Sequence, residues 1–216
     1  MAKATASSLE ALLRQGAWEK ARRRIEQELR RQPDDHWLLT QLGVTYYEQG
    51  QYRAALAPLL ESLRIVPDCP LTLWNIAGTL DALRKSELAI AIYSWLLGSK
   101  QTADDDPCWE SAAWADSLKA DCVYRLGACF QKLERWESAE HCFRQYINLI
   151  LAGTNGTYAV EDAAHHIREL HGSMPTRHEK ELHAAIEATL RDAGVRSVQG
   201  RRRQLPKLSL PELLAH

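Results

Sequence analysis

Positions 34 residues apart carry the same kind of side chain along much of this chain, and no single residue constrains the fold as strongly. Leu42-Gly43, Tyr46, Gly50, Tyr52, Ala55, Leu59 and Pro67 are followed at that interval by Ile76-Ala77, Leu80, Arg84, Ser86, Ala89 and Tyr93. The pattern returns as Leu126-Gly127, Phe130, Trp136, Ala139 and Phe143. Two short helices cross closely only where small side chains meet, with large ones filling the space beside them. Gly43, Ala55, Ala77, Ala89, Gly127 and Ala139 are the small residues, and Tyr46, Tyr52, Leu59, Tyr93, Phe130, Trp136 and Phe143 the large ones. Pro33 and Pro67 fall where a second helix must stop, because proline disfavours helix in the residue before it. Each unit therefore reads as helix, turn, helix.

An earlier unit fits the same frame: Gly16-Ala17-Trp18, Ala21, Ile25 and Pro33 lie 34 residues before Gly50-Gln51-Tyr52, Ala55, Leu59 and Pro67. Ser7 with Glu10 makes a capping box, which starts its first helix at about residue 8. In the third unit Arg84 and Ser86 replace the turn glycine and the aromatic, and no closing proline follows. On these residues the chain resembles the tetratricopeptide repeat family over about residues 7 to 150, most strongly in the second and fourth units. The resemblance implies an all-α fold, a right-handed α-α superhelix closed by C-terminal capping helices.

The regularity breaks once, where Gly127 follows Ala77 by 50 residues, 16 beyond the repeat. The extra segment, 98–118, opens with an acidic loop from Gly98 to Asp105, and Asp106-Pro107 is a strong helix start. The spacing of Trp109, Ala112, Ala113, Ala120, Val123, Leu126 and Phe130 predicts one helix from Pro107 to about Leu133, roughly 40 Å long, its first three turns projecting beyond the stack. The alternative is a separate short helix with a turn near Ser117. After Ile150, a loop from Ala152 to Gly156 leads into two expected capping helices. The first, Tyr158 to His171, bears Val160, Ala163, Ala164, Ile167 and Leu170 on one face, with Gly172 as a stop. The second opens with Thr176 and Glu179, carries Leu182, Ile186 and Leu190, and ends before Gly194. The organisation is thus an array of about four units over 1–152, capping helices over 153–194, and a tail over 195–216. In that basic, leucine-containing tail Pro206 and Pro211 oppose a continuous helix, so it is read as flexible or extended, able to plug a groove or dock on a partner.

Composition adds bounds rather than identity. The 216 residues are 45% hydrophobic and 25% charged, as in a soluble globular chain, and a net charge of -1 argues against a surface made wholly for nucleic acid or membrane. The charge is uneven: Arg22 to Arg24 with Arg30 and Arg31 make a basic helix, Asp104 to Asp106 with Glu110 and Asp116 an acidic stretch, and Arg201 to Arg203 a basic tail. Each run is read first as a solvated face. No apolar run approaches the ~20 residues that span a bilayer, and residues 1–16 lack a signal-type apolar core, so a cytoplasmic location is expected. Cys69, Cys108, Cys122, Cys129 and Cys142 form an odd set without a CxxC pair, which fits reduced core thiols. In that compartment the glycosylation pattern Asn155-Gly156-Thr157 is accidental.

Catalytic chemistry finds little footing. His165, His166, His171, His178 and His183 crowd the C-terminal region, and His165 and Glu169 share a helix face, but no HExxH order or accompanying cysteine makes a metal site. No phosphate loop, dinucleotide fingerprint or nucleophile elbow occurs. Neither a cofactor nor an enzyme activity is expected, and no small-molecule substrate.

The resemblance instead implies recognition, with the first helices of successive units lining a concave groove for an extended peptide or helix of another protein. Carried over place by place, the groove residues are Arg14; Trp37, Gln41, Val44, Tyr47 and Glu48; Trp74, Asn75, Gly78 and Asp81; and Tyr124, Arg125, Ala128, Gln131 and Lys132. Trp37, Tyr47, Trp74 and Tyr124 are the expected anchors, unless Trp37 and Trp74 pack between helices. Asn75 and Arg125 match two places of the clamp with which some repeats grip acidic chaperone tails. Thr40, Val44 and Asp121 stand where that clamp needs lysine, asparagine and lysine, so its carboxylate would be poorly paired. The function implied is a non-catalytic adaptor or chaperone-like module, with two alternatives. One is a small secretion-type chaperone, and the other nucleic-acid contact through Arg22, Arg23, Arg24, Arg201, Arg202 and Arg203. The sequence leaves the oligomeric state open.

Overall fold

A left-handed turn residue joins the two helices of every pair, at the repeat interval in the first three pairs and 50 residues on in the fourth. The computed structural model describes residues 9–99 and 111–173, together with Ala184. Helical residues 9–14 (α1) are followed by α2 (Trp18–Leu29), α3 (His36–Glu48), α4 (Tyr52–Ile65), α5 (Pro70–Ala82), α6 (Ser86–Gly98), α7 (Ala112–Lys132), α8 (Trp136–Leu151) and α9 (Val160–Ser173). Among the described residues everything regular is helix. The chain divides into two compact units, Met1–His166 and Ile167–His216.

The turns explain the repeat. Gly16, Gly50, Arg84 and Glu134 have φ of 66°, 70°, 60° and 58°. After each, one N–H reaches back to close the preceding helix: Ala17 to Leu12 O at 3.0 Å, Gln51 to Tyr46 O at 2.9 Å, Lys85 to Leu80 O at 2.8 Å, and Arg135 to Phe130 O at 2.9 Å. This six-residue bond with a left-handed residue inside it satisfies carbonyls that the helix end would otherwise leave bare. The third turn keeps the geometry although its glycine has become Arg84. Ser86, standing where the other units have an aromatic, donates its hydroxyl to Asp81 Oδ1 at 2.8 Å.

Within the first unit each helix packs on the next, and α3 also touches α5 and α5 touches α7, so the first helices form a continuous layer backed by the second helices. This is the all-α helical solenoid that the period implies. Where the partners of a pair cross, glycine is obligatory for contact: a Cβ on Gly43 would lie 2.5 Å from Leu59 Cγ, and one on Gly127 would lie 2.9 Å from Phe143 Cε1. Ile25, Leu59, Ile76, Leu80, Tyr93, Leu96, Phe143 and Tyr146 are fully buried along the stack. Between α3, α4 and α5 the hydroxyls of Thr40, Ser62 and Thr72 form a buried ring, 2.8 to 3.0 Å from one another, and His36 O lies within accepting distance of Thr40 and Ser62, so three protons are shared among these contacts. The thiols of Cys69, Cys122, Cys129 and Cys142 are buried and not in disulfides, while Cys108 lies outside the described residues.

Four local expectations change. Helix α7 begins at Ala112 rather than Pro107, because Ser111 is extended (φ -165°, ψ 165°) and caps the helix by accepting from the Trp114 N–H at 3.1 Å. It then runs through Ser117 without a break, and its first turns do not project as expected: Ala115 and Leu118 are buried, with Trp74 and Trp114 packed on them. Helix α9 begins at Val160 rather than Tyr158, and Gly172 lies inside it instead of stopping it. Within the first unit His166 stacks on Phe143 of α8 at 4.7 Å. Ser7, the 100–110 part of the insertion, the second capping helix and the tail lie outside the described residues.

Two substitutions with opposite signs test this construction. Gly127→Ala gains helix propensity but drives a methyl into Phe143, so a net loss of about 1–2 kcal/mol is expected, read as a lower midpoint in urea unfolding. Glu134→Gly relieves the left-handed strain and is expected to raise stability by about 0.5 kcal/mol.

Candidate partner-binding face

Gly78 of α5 leaves room on the first-helix layer for two phenols. A Cβ there would lie 3.6 Å from Tyr93 Oη and 3.9 Å from Tyr47 Oη, so the rings from α6 and α3 converge over bare backbone. Beside them, the guanidinium carbon of Arg125 in α7 sits 5.7 Å from the Trp74 ring centre and 5.2 Å from that of Tyr158. Such placement stabilises the cation through the ring faces. Arg125 has no carboxylate ion-pair partner among the described residues. Burial opposes its charge, but the hydroxyls of Tyr158, Tyr93 and Tyr47 more than offset this, and its pKa lies above the usual arginine value. Burial pushes Tyr158 up to about 12 against the pull of Arg125, and raises Tyr93 well above the ordinary phenol value. At neutral pH both phenols are therefore O–H donors.

Three donors of this cluster are buried and have no hydrogen-bond acceptor among the described residues: Trp74 Nε1, Tyr93 Oη and Arg125 Nε. An unmet buried donor costs about 1–3 kcal/mol. Three on one face make a feature that the fold alone does not require.

The fourth-unit part of the layer carries a segment of its own chain. Tyr158 lies flat on Tyr124, ring centres 3.9 Å apart and planes 5° from parallel, and Tyr124 is 8% exposed beneath it. Tyr146 Oη donates to Tyr158 O at 2.6 Å and accepts from the Tyr158 N–H at 3.1 Å, which holds Tyr158 outside the helix that follows. Thr157 donates its N–H to Asp121 Oδ1 at 2.8 Å and its hydroxyl to Oδ2 at 2.5 Å. Burial raises the Asp121 pKa, and the two bonds from Thr157 pull it partly back. Gly156 admits no side chain, since a Cβ would collide with Tyr146 Oη and Ile150.

The structure thus brings together Tyr47, Trp74, Gly78, Tyr124 and Arg125 of the predicted residues, and places the others elsewhere. Trp37 packs on the cluster of Leu9, Ala21, Ile25 and Leu38 between helices. Trp74 packs one flank on Ala115 and Leu118, the alternative weighed for it, while Arg125 approaches its ring. Arg14 is exposed and turns its Nε to Glu10 O, Gln41, Val44 and Gln131 are half-buried, and Asn75 donates to Leu71 O at 2.8 Å in its own helix. Asp81 and Lys132 pair with each other at 2.6 Å, tying α5 to α7. The clamp positions fare differently: Thr40 is wholly buried in the hydroxyl ring and Asp121 is occupied by Thr157. The basic run of α2 is partly committed as well. Arg22 bonds Gln49 and lies 4.0 Å over the Tyr46 ring, and Arg24 and Arg31 pair with Glu28. Among the described residues no group of three potential metal ligands occurs.

Sequence reasoning did not assign Tyr93, Thr157 or Tyr158 to this face. Tyr93 occupies a repeat position whose ring fills the core, and the period says nothing of where a hydroxyl ends. Thr157 and Tyr158 lie beyond the repeat, where the only signal was the break Gly153 to Gly156.

No protein-family model matches this chain, and no curated protein matches it in sequence. Among solved structures it is similar to a crystal structure of MamA protein, with a TM-score of 0.56 and 16% identity over 93% of this chain and 100% of that one. It is also similar to MamA 41-end from Desulfovibrio magneticus RS-1, with a TM-score of 0.52 and 20% identity over 81% of this chain and 97% of that one. A third likeness is to the MamA RS-1 ArsTM double mutant, at 0.51 and 20% over 80% and 95%. At such identities the likeness is one of fold, a tetratricopeptide-type helical solenoid. Among the described residues no helix is long and apolar enough to cross a membrane.

The Asp121 lock carries a pH signature. A carboxyl whose folded pKa is raised binds its proton more tightly in the folded state, so its contribution is present below the unfolded value and lost as pH rises through the folded one. Asp121→Asn keeps an acceptor for the Thr157 N–H but cannot ionise. The melting temperature of the variant relative to the parent is expected to rise between about pH 4 and pH 7, measured by circular dichroism.

Proposed function

We propose that this chain is a non-catalytic protein-interaction module that takes an extended peptide or a helix of a partner on the face of its first helices. The observation that carries the reading is the cluster of Trp74, Tyr93 and Arg125, whose buried donors meet no acceptor among the described residues. Tryptophan, tyrosine and arginine are also the side chains that most often dominate the energy of protein interfaces. The tetratricopeptide-type fold supports the reading, since stacked helix pairs offer a long face with no need of a catalytic pocket.

In this reading Tyr47, Trp74, Tyr124 and Arg125 are the anchors, Gln41, Val44, Asn75 and Gln131 flank them, and Trp37 supports the face from within. Asp81 and Lys132 neutralise each other and brace the wall. Arg14 lies at the far edge. A non-catalytic role accords with the thiols: burial pushes Cys142 up to about 11 and, with Asp81 nearby, Cys129 up to about 12, so neither supplies a thiolate at neutral pH. Buried reduced thiols also suit a cytoplasmic location.

The test is affinity capture from a native lysate, comparing the intact chain with Arg125→Gln and Trp74→Phe. Both variants should keep their helical circular dichroism. A partner retained by the parent and weakened by about 2 kcal/mol, roughly 30-fold, in either variant is the expected result. Equal recovery by all three overturns the assignment to this face.

A further inference from the structure

The donor cluster is specific enough to name the chemistry of what it meets. Arg125 Nε, Trp74 Nε1 and Tyr93 Oη are N–H and O–H donors, buried and without acceptors, and one belongs to a permanent cation that has no ion-pair partner among the described residues. A buried charge is ordinarily paired, and buried donors are ordinarily satisfied. Asp121 stands one helical turn before Arg125 and its charge is felt there, but each of its oxygens accepts from Thr157 and neither comes within ion-pair distance of the guanidinium. The group that meets these donors is an acceptor, and beside a guanidinium without an ion-pair partner among the described residues an anionic acceptor is the best match. A carboxylate offers two oxygens and about four lone-pair sites to such a set. The aromatic walls of Trp74, Tyr47 and Tyr158 suit the peptide that carries it.

We infer that Arg125, Trp74 Nε1 and Tyr93 Oη form a recognition point for one carboxylate of a partner peptide, with Tyr158 as its removable cover. The inference rests on the interaction-module reading and gives it a ligand class. The half-buried Tyr158 ring lies 5.2 Å from the Arg125 guanidinium carbon and is held by Tyr124, Tyr146 and, through its neighbour Thr157, by Asp121. These contacts are side-chain and loop contacts, none of them a bond within a helix pair, so lifting the segment breaks no helix-pair bond. The arrangement differs from a clamp of several cations: it has a single positive charge, aided by an indole and a phenol.

The Nε–H of arginine and the Nε1–H of tryptophan give separate proton–nitrogen correlation signals in NMR, assigned here with Arg125→Gln and Trp74→Phe. The full chain is titrated with N-acetyl-glutamate amide, which presents a side-chain carboxylate, with N-acetylalanine, which presents a chain-end carboxylate, and with N-acetyl-glutamine amide as the neutral control. The expected result is a saturable downfield shift of both signals with at least one acid and none with the control. The acid that shifts them identifies the source of the carboxylate. In Tyr158→Ala the same shift should saturate at lower ligand concentration. Silence of both signals in parent and Tyr158→Ala chains, or an equal response to the neutral control, overturns the inference while leaving the capture result to stand by itself. If the acids shift the signals but the captured protein is insensitive to Arg125→Gln, a peptide is not the bearer and the inference fails in that respect.

Discussion

Everything in the first unit depends on how two helices are held at a fixed crossing, and that rests on one backbone conformation repeated four times. A residue at φ near +60° lets the next N–H reach back to the carbonyl five residues earlier, which both ends the first helix and aims the second. With the aim fixed, Gly43 and Gly127 can be met closely by Leu59 and Phe143. Glycine supplies the conformation without strain in two turns, while Arg84 and Glu134 adopt it at a cost of about 1 kcal/mol each. That cost is tolerated because the turn is over-determined by the packing on either side of it.

The same constraint brings α3, α5 and α7 side by side, and so decides which side chains can share a face. Gly78 matters there for the opposite reason to Gly43: it is not the point where a partner helix presses in, but the gap into which Tyr47 and Tyr93 extend. Their convergence beside Arg125 and Trp74 produces a region that is apolar in its walls and polar in its unmet demands. Ring faces lower the cost of burying the guanidinium, yet they offer nothing to an N–H in its plane.

The array could be read from the sequence because its cause is periodic: small residues at the crossings, large ones beside them, glycine or proline at the punctuation. The left-handed turn at Arg84 could not be read from the sequence, since arginine has little preference for that region, and only tertiary context holds it there. The start of α7 was misplaced because Asp106-Pro107 is a strong local signal, whereas Ser111 caps by an extended backbone that no spacing reveals. Trp37 and Trp74 show the limit for the face itself. Both occupy groove positions by register, but a helix layer has edges, and Trp37 is drawn into the core formed with α1 and α2. The cover formed by Thr157 and Tyr158 could not be read at all, because it lies outside the repeat and its partners, Asp121 and Tyr124, are far away in sequence.

Two arginines in comparable surroundings separate structural from functional polarity. Arg22 lies over Tyr46, bonds the Gln49 carbonyl oxygen of its amide, and has Glu19 within 3.6 Å, so its charge and its donors are consumed in joining α2 to α3. Arg125 has rings on two sides, no carboxylate partner among the described residues, and an Nε–H that nothing accepts. A charge kept only for stability would be better replaced by an apolar side chain of similar size, since burial without full pairing is a net cost. Buried polar atoms without a hydrogen-bond partner also occur at Arg24 Nε, Glu28 Oε1 and His166 Nδ1, but three donors converge only at this cluster among the described residues. Such a convergence is physically sensible where the missing partner arrives on another molecule.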